Sequence, residues 1–191
     1  TTEWNIHVDP DAAKVAFTAW GASAERHGHP RPTALGLDVT ERVKITPEHV
    51  VALARRAGST PDDLLALARG EDPGQATQSM ASNPMVRFIA DALRFYMEFH
   101  SRFDGFYGAF IHDPLAVAAA LDPRLVRTEA LTVDVELGGT LTTGETVTDW
   151  RRAWGRPPNL DVAVEADAAA FLDQFVERVG GLAAERSNVA R

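Results

Sequence analysis

The tripeptide His112-Asp113-Pro114 combines two side chains that could do chemistry. Proline is tolerated in the first turn of a helix, so the pattern predicts a helix that starts here with Asp113 as its N-cap. A carboxylate at a helix N-terminus is also held rigidly, stays ionised, and can offer oxygen to a hard cation. His112 could then act as a donor toward whatever that cation holds. The local pattern alone favours the plain helix cap.

The tripeptide Glu3-Trp4-Asn5 is the second candidate, because it places an acid, an aromatic ring and an amide before a helix. Such a set could line a polar pocket. A solvated chain terminus is the simpler interpretation of these three residues when nothing else is considered.

Other common chemistries have little support in the sequence. His27 and His29 invite a metal interpretation, but no acidic or third histidine ligand lies close to them, so a solvated loop is favoured. His100, twelve residues before His112, does not complete the ligand pattern of a His-Asp phosphohydrolase. The chain has no cysteine, which excludes thiolate metal sites and cysteine nucleophiles. It also has no Gly-x-Ser-x-Gly, Gly-x-Gly-x-x-Gly or Walker-type motif.

Composition narrows the function classes further. The 191 residues carry a net charge of −8 and no run of Lys or Arg, which argues against nucleic acid and anionic membranes as partners. No apolar run approaches the roughly 18–20 residues that span a bilayer. The first residues lack the basic and apolar regions of a signal peptide, so we expect a soluble cytoplasmic protein.

Helices are predicted where a small polar residue precedes proline. The pairs are Asp9-Pro10, Thr46-Pro47, Thr60-Pro61, Asn83-Pro84 and Asp113-Pro114. Three helices also show an apolar stripe at helical spacing. The stripes are Val50, Leu53, Ala54 and Ala57; Met85, Phe88, Ile89, Ala92, Leu93 and Tyr96; and Ala168, Phe171, Leu172, Phe175, Val176 and Val179. We expect Gly180-Gly181 to end the last helix.

Strands are predicted at three places. Leu131–Leu137 alternates apolar and polar residues, with Thr140–Val147 as its returning partner after a turn at Gly138-Gly139. Leu160–Glu165 is a further short strand, and the apolar Thr33–Val39 is typical of a buried parallel strand. The expected fold class is α/β, with a mixed, mainly parallel sheet flanked by helices. Ala22–Pro32 and Arg69–Ser82 are predicted to be irregular.

Taken in order, these segments resemble the nucleoside hydrolase family. Residues 3–13, E-W-N-I-H-V-D-P-D-A-A, resemble the family motif A-E-[FW]-N-I-x-x-D-P-E-A-A. Residues 35–40, L-G-L-D-V-T, resemble its next strand, V-x-L-D-[VL]-T, and residues 112–118, H-D-P-L-A-V-A, resemble H-D-P-x-A-V-A. The resemblance covers nearly the whole chain, and the joint occurrence is far more specific than any single motif.

The resemblance implies an enzyme of nucleoside salvage that hydrolyses the N-glycosidic bond of ribonucleosides to ribose and free base. In such enzymes a calcium ion chelates the ribose 2′- and 3′-hydroxyls and a water, and an aspartate takes the proton of that water. By resemblance, Asp113 would be a calcium ligand that contacts the ribose, and Glu3 and Asn5 would bind ribose hydroxyls. Trp4 would pack at the pocket wall, and His112 would lie by the base and protonate or position it.

The chain also departs from the family pattern. The family opens with D-x-D-x-G-x-D-D, which supplies the general base and most calcium ligands, and no such cluster occurs here. We therefore expect residues 1–191 to be the carboxy-terminal portion of a single nucleoside hydrolase domain, with an incomplete calcium site and no activity alone. The expected partners are a missing amino-terminal half or partner chain and further copies in a homo-oligomer.

Two hypotheses follow from the sequence. The chain is part of a nucleoside hydrolase that is active when combined with its missing half, or it is a non-catalytic ribose-binding or assembly module derived from the same fold. A D-x-D-x-G-x-D-D motif encoded upstream would favour the first. The base preference stays open, because the aromatic set Trp4, Phe103, Phe106 and Tyr107 could stack on a purine or a pyrimidine.

Overall fold

The computed structural model describes residues 2–59, 79 and 81–189. The helices are α1 (Trp4–Val8), α2 (Pro10–His27), α3 (Leu37–Thr40), α4 (Pro47–Arg56), α5 (Pro84–Phe103), α6 (His112–Leu121) and α7 (Ala168–Val189), with a 3-10 helix at Pro123–Leu125. The strands are β1 (Thr33–Ala34), β2 (Lys44–Ile45), β3 (Ala109–Phe110), β4 (Val126–Leu131), β5 (Val133–Val135), β6 (Thr146–Thr148) and β7 (Leu160–Ala166).

The contacts divide the chain into two compact units. The first contains Thr1–Thr40 and Ala119–Ala166, and the second contains Glu41–Ala118 and Asp167–Arg191. Among the described residues, no helix has the length and the apolar character needed to cross a membrane.

The first unit is organised around β7. This strand pairs in parallel with β1 and antiparallel with β4, and β5 and β6 form a separate antiparallel hairpin. Leu131 and Leu160, which face each other across β4 and β7, are both almost fully buried. The expected mixed sheet with parallel pairing is confirmed, although only one pairing within the described residues is parallel.

Helix α2 is held against β5 by charge and also approaches Asn159 closely. Lys14 Nζ lies 2.8 Å from Asp134 Oδ1 and donates to the Val135 carbonyl at 3.3 Å. This contact with Lys14, together with the Val135 amide and Arg156, holds the pKa of Asp134 below its ordinary value, although partial burial opposes the shift. Further along the helix, a Cβ at position 21 would collide with Asn159, so only glycine permits this approach.

The second unit packs α4, α5 and α7 together and contains the two-stranded β2–β3 sheet. Its core contains Val50, Leu53, Val86, Ala90, Phe171 and Ala183. Asn83 connects two of these helices. Its Oδ1 accepts from the amides of Met85 and Val86 at the start of α5, and its Nδ2 donates to the Ala183 carbonyl of α7 at 2.8 Å.

Three predicted helix starts are confirmed, at Asp9, Thr46 and Asn83. The prediction at Asp113 is wrong in detail, because α6 already begins at His112 and Asp113 lies in its first turn rather than at the N-cap. Thr60-Pro61 and most of Arg69–Ser82 lie outside the described residues.

Four other predictions are corrected. Thr33–Val39 is not one buried strand, since only Thr33–Ala34 pairs with β7 and the chain then turns into α3. The segment from residue 131 to 137 forms a strand only at Val133–Val135, while Leu131 ends β4. Ala22–Pro32 is helical up to His27, because α2 continues until Gly28 adopts a left-handed conformation at its end. The short helix α1 contains Trp4 and Asn5, which were expected to precede the first helix.

The last helix does not stop at Gly180-Gly181 but continues to Val189. A Cβ at position 180 would lie 2.8 Å from Arg56 Cβ and 3.1 Å from the Leu53 carbonyl oxygen. The glycine therefore allows α7 to approach α4 closely instead of ending the helix. Arg56 completes the contact through an ion pair with Glu177, with Nε and Oε2 separated by 2.8 Å.

We predict that Asn83→Ala lowers the free energy of unfolding by about 2–3 kcal/mol. The substitution removes a buried helix cap and leaves polar groups of two helices without their hydrogen-bond partner. Urea unfolding measures this loss. Asp167→Ala is the matched control, since Asp167 caps α7 in an exposed position and should cost about 1 kcal/mol or less. Equal losses in the two variants would contradict the role of Asn83.

We predict that Gly144→Ala disturbs α1. Gly144 has a φ of +84°, and a Cβ there would lie 3.0 Å from Thr2 Cγ2 and 3.2 Å from His7 Cα. Gly28→Ala is the control, because its φ is +67° but the added Cβ would meet no atom within 4 Å. The free energy of unfolding should fall by about 1 kcal/mol in both variants, because alanine is disfavoured at a positive φ. Only Gly144→Ala should also shift the NMR resonances of the Trp4 indole; unchanged resonances would refute the contact.

Candidate functional site

The candidate residues fall into two sets, one in each unit. Glu3, Trp4 and Asn5 belong to the first unit, and His112 and Asp113 belong to the second. The structure brings residues together within each set.

Glu3 organises the first set. Its carboxylate caps α1, where Oε2 accepts from the Ile6 amide at 3.1 Å, and its Oε1 accepts from Asn5 Nδ2 at 2.9 Å. A carboxylate can accept more hydrogen bonds than these two, and the Asn5 amide oxygen is also an acceptor. The pair therefore presents fixed acceptor oxygens of the kind that bind sugar hydroxyls.

Trp4 stands beside this pair with most of its surface in solvent. Its side chain is 72% exposed, and its ring lies 6.2 Å from the ring of His7, centroid to centroid. An indole that is this exposed has a free face for stacking. The position is compatible with the expected pocket wall but also with a simple surface residue.

The second set is positioned by the start of α6. Strand β3 pairs with β2, and α6 begins two residues after it at His112. Leu115 and Ala119 are buried and anchor one face of the helix. This anchoring fixes the direction of the first turn, in which Asp113 lies.

Asp113 is exposed, and within the described part of the chain its carboxylate takes part in no hydrogen bond or ion pair. It lies in the first turn of α6, where the positive end of the helix dipole favours an anion. A carboxylate in the first turn of a helix can bind a hard cation through its oxygens or accept a hydrogen bond from a hydroxyl group.

His112 is half-buried, and its ring centroid lies 5.9 Å from that of Phe110. Behind it stands an aromatic cluster that we define as His100, Phe106 and Phe110. His100 stacks on Phe106 at 5.4 Å and meets the edge of Phe110 at 4.7 Å. Phe110 is the ring of this cluster that lies next to His112.

The aromatic cluster contains residues that sequence reasoning missed as parts of the site. His100 Nδ1 lies 2.7 Å from Asp104 Oδ2, and Lys44 Nζ lies 4.4 Å from the centroid of the Phe106 ring. The spacing of His100 and Asp104 on one helix face was a signal for their pairing. Nothing local in the sequence pointed to Lys44, because β2 reaches the cluster only through its pairing with β3.

Tyr107, a candidate for stacking on the base, is half-buried and follows Phe106 of this cluster in the sequence. Burial raises the pKa of its phenol, the nearby Glu98 carboxylate raises it further, and Arg94 opposes the shift. The phenol therefore stays protonated and can act as a hydrogen-bond donor at neutral pH.

The other candidates are less suited to binding. His27 and His29 are exposed with ring centroids 5.9 Å apart. Across residues 2–59, 79 and 81–189, no group of three or more histidine, aspartate or glutamate side chains is placed to hold a metal ion.

Comparisons with known proteins find nucleoside hydrolases. Pyrimidine-specific ribonucleoside hydrolase RihA is 33% identical over 178 residues in Salmonella gallinarum and 34% identical in an Enterobacter species. Each match covers 93% of this chain and 46% of the relative, so the chain spans about half the length of these curated relatives.

Solved structures of nucleoside hydrolases also match this chain. The purine-preferring ribonucleoside hydrolase from Gardnerella vaginalis is 31% identical with a TM-score of 0.68, and the match covers 96% of this chain and 48% of that one. A plant nucleoside hydrolase, 23% identical, shares the fold with a TM-score of 0.65 over 93% of this chain and 47% of its own.

The fold is thus that of nucleoside hydrolases, as the sequence motifs predicted. The profile described as "Inosine-uridine preferring nucleoside hydrolase" matches residues 1–173, which include both candidate sets. This chain belongs to the inosine-uridine preferring nucleoside hydrolase family.

Proposed function

We propose that this chain supplies one half of a nucleoside hydrolase active site, and that the complete protein cleaves the N-glycosidic bond of ribonucleosides to ribose and free base. The observation that carries the proposal is the family match, which runs through both candidate sets. The side chains of the two sets also suit this chemistry. They can bind a polar sugar, and their anionic groups can stabilise the positive charge that develops on the sugar as the base leaves.

Glu3 and Asn5 are proposed to bind ribose hydroxyls. Their mutual hydrogen bond fixes both side chains before a ligand arrives, so little side-chain entropy is lost on binding. The breaking glycosidic bond leaves positive charge on the sugar, and the Glu3 carboxylate stabilises that charge more than it stabilises the neutral substrate. Trp4 would close the wall of the pocket.

Asp113 is proposed to be one ligand of the calcium ion that the family resemblance implies. When bound, such an ion supplies a water of lowered pKa and chelates sugar hydroxyls. Calcium takes six to eight oxygen ligands, and the described residues contain no cluster that could provide them. The described part of the chain therefore does not fit a complete calcium site, and the proposal requires further ligands from outside it.

His112 is proposed to face the base and to donate a proton to it, or to hold it in place, as the bond breaks. Histidine is suited to proton transfer near neutral pH. Its half-buried position against the aromatic cluster favours contact with the flat face or edge of a base. The relatives are described as pyrimidine-specific and as purine-preferring, so the proposal extends to ribonucleosides without a choice of base.

We further propose a cytoplasmic salvage role and a homo-oligomeric assembly for the complete protein. The 191 residues are proposed to be the carboxy-terminal portion of its single catalytic domain. The salvage role, the assembly and the place of the chain in the domain follow from the resemblance, whereas the cytoplasmic location follows from the sequence pattern of the first residues.

The isolated chain should neither hydrolyse nucleosides nor bind calcium tightly, because one exposed carboxylate cannot replace a full ligand shell. Calorimetry with Ca²⁺ should give a dissociation constant no tighter than about 1 mM, the weak end of protein calcium sites. Uridine and inosine should be stable in its presence. Measurable release of ribose by the purified 191-residue chain would refute this prediction.

In the complete protein, Asp113→Asn should lower kcat/KM for uridine or inosine by roughly 10²- to 10³-fold, the usual effect of losing a transition-state contact. Steady-state kinetics measures the change. Asp11→Asn is the matched control, since Asp11 is also an exposed aspartate in the first turn of a helix and should leave kcat/KM unchanged. A similar effect of both substitutions would remove Asp113 from the site.

A further inference from the structure

Helix α5 has apolar side chains on more than one face. The face that packs inside the second unit carries Val86, Ala90 and Met97, all buried. The sequence pattern predicted a different buried stripe, and the structure leaves Phe88, Ala92 and Tyr96 of that stripe exposed. A helix that is apolar around most of its circumference normally lies between two layers of a larger core.

The exposed face is strongly aromatic and follows helical spacing. Its residues recur at intervals of four, three, four and four, and we name them the aromatic stripe: Phe88, Ala92, Phe95, Phe99 and Phe103. The four phenylalanine side chains are 74%, 70%, 47% and 63% exposed in that order. They leave on the order of 500 Å² of ring surface in water, near the upper limit for a patch on a stable monomer.

The spacing of the aromatic stripe specifies the kind of partner. Intervals of three and four residues give a narrow seam along a helix axis, which is the geometry that packs against another helix or a sheet face. The seam runs over about 15 residues, or roughly 22 Å, a length that a partner helix or a sheet face can match.

We propose that the aromatic stripe of α5 is the surface on which the other half of the nucleoside hydrolase fold docks. About half the length of each relative lies outside the match to this chain, while the matched half superposes on the Gardnerella vaginalis enzyme. A segment of that length is large enough to bury the stripe. This inference rests on the proposed function, because both require a second half, and it names the surface through which that half is held.

Burial of the stripe also has a consequence for the site. Phe99 and Phe103 contact each other at 4.7 Å, and Phe99 meets the edge of His100 at 5.4 Å. His100 belongs to the aromatic cluster behind His112. The stripe thus continues through Phe99 into the aromatic cluster, and a partner docked on it would also cover the end of α5 that supports this cluster.

The test uses the full 191-residue chain and the half of the Salmonella gallinarum RihA that this chain does not match. Association is measured by calorimetry and analytical ultracentrifugation for the unmodified chain and for Phe88→Ser/Phe95→Ser. Both phenylalanines are far exposed, so the variant should keep its circular dichroism and melting temperature. Leu141→Ser is the matched control, because Leu141 is 96% exposed and lies in the other unit.

The expected result is association of the unmodified chain and of Leu141→Ser, with binding weakened roughly 30-fold or more in Phe88→Ser/Phe95→Ser, the usual effect of losing an interface anchor. Equal binding by all three chains would overturn the assignment of the stripe. So would the absence of association by the unmodified chain, or a stripe-dependent homodimer that does not bind the RihA half.

Hydrolysis of uridine by the assembled pair separates the two proposals. Stripe-dependent assembly with no hydrolysis would support the docking surface and contradict the proposed function. Hydrolysis by a pair that associates equally well with and without the Phe88→Ser/Phe95→Ser substitutions would support the function and overturn the docking surface.

Discussion

The beginnings of two helices position the main candidate residues of this chain, Glu3 and Asn5 at α1 and His112 and Asp113 at α6. The first turn of a helix leaves four backbone amides without intrahelical partners, and nearby oxygens must satisfy them. At α1 the Glu3 carboxylate does this and binds Asn5 with its second oxygen. At α6 Asp113 lies one residue past the helix start, and its oxygens remain available. The same constraint thus gives a hydrogen-bonded Glu3–Asn5 pair in one unit. In the other unit it leaves the Asp113 carboxylate without a hydrogen bond or ion pair among the described residues.

Local sequence rules predicted what depends on near neighbours. The caps at Asp9, Thr46 and Asn83 and the strand at Leu160 follow from residue type and spacing within a few positions. The rules failed where distant parts of the chain decide the outcome. Gly180 continues a helix because Arg56 packs against it, which no pattern around residue 180 contains.

The same distinction applies to the candidate site. Glu3, Asn5, His112 and Asp113 were found through ordered motifs, because each motif is contiguous in sequence. The aromatic cluster was not, since Phe110 and His100 meet only through the pairing of β2 with β3 and the end of α5. The buried face of α5 was also misassigned, because an apolar pattern does not reveal which of several apolar faces a given unit covers.

These features are consistent with a fold of which this chain contains about half. Apolar surface on α5 stays in water, and a first-turn carboxylate has no partner among the described residues. Under the proposed function, the other half of the fold would supply the remaining metal ligands and cover the aromatic face of α5.

The most direct test of the central claim is a crystal structure of the chain assembled with its complementary half, Ca²⁺ and a non-hydrolysable ribonucleoside analogue. We predict an Asp113 oxygen at about 2.3–2.6 Å from the ion. We also predict Glu3 and Asn5 oxygens within hydrogen-bonding distance of ribose hydroxyls, about 2.5–3.0 Å. An ion and a ribose bound without Asp113, Glu3 and Asn5 would contradict the proposed site.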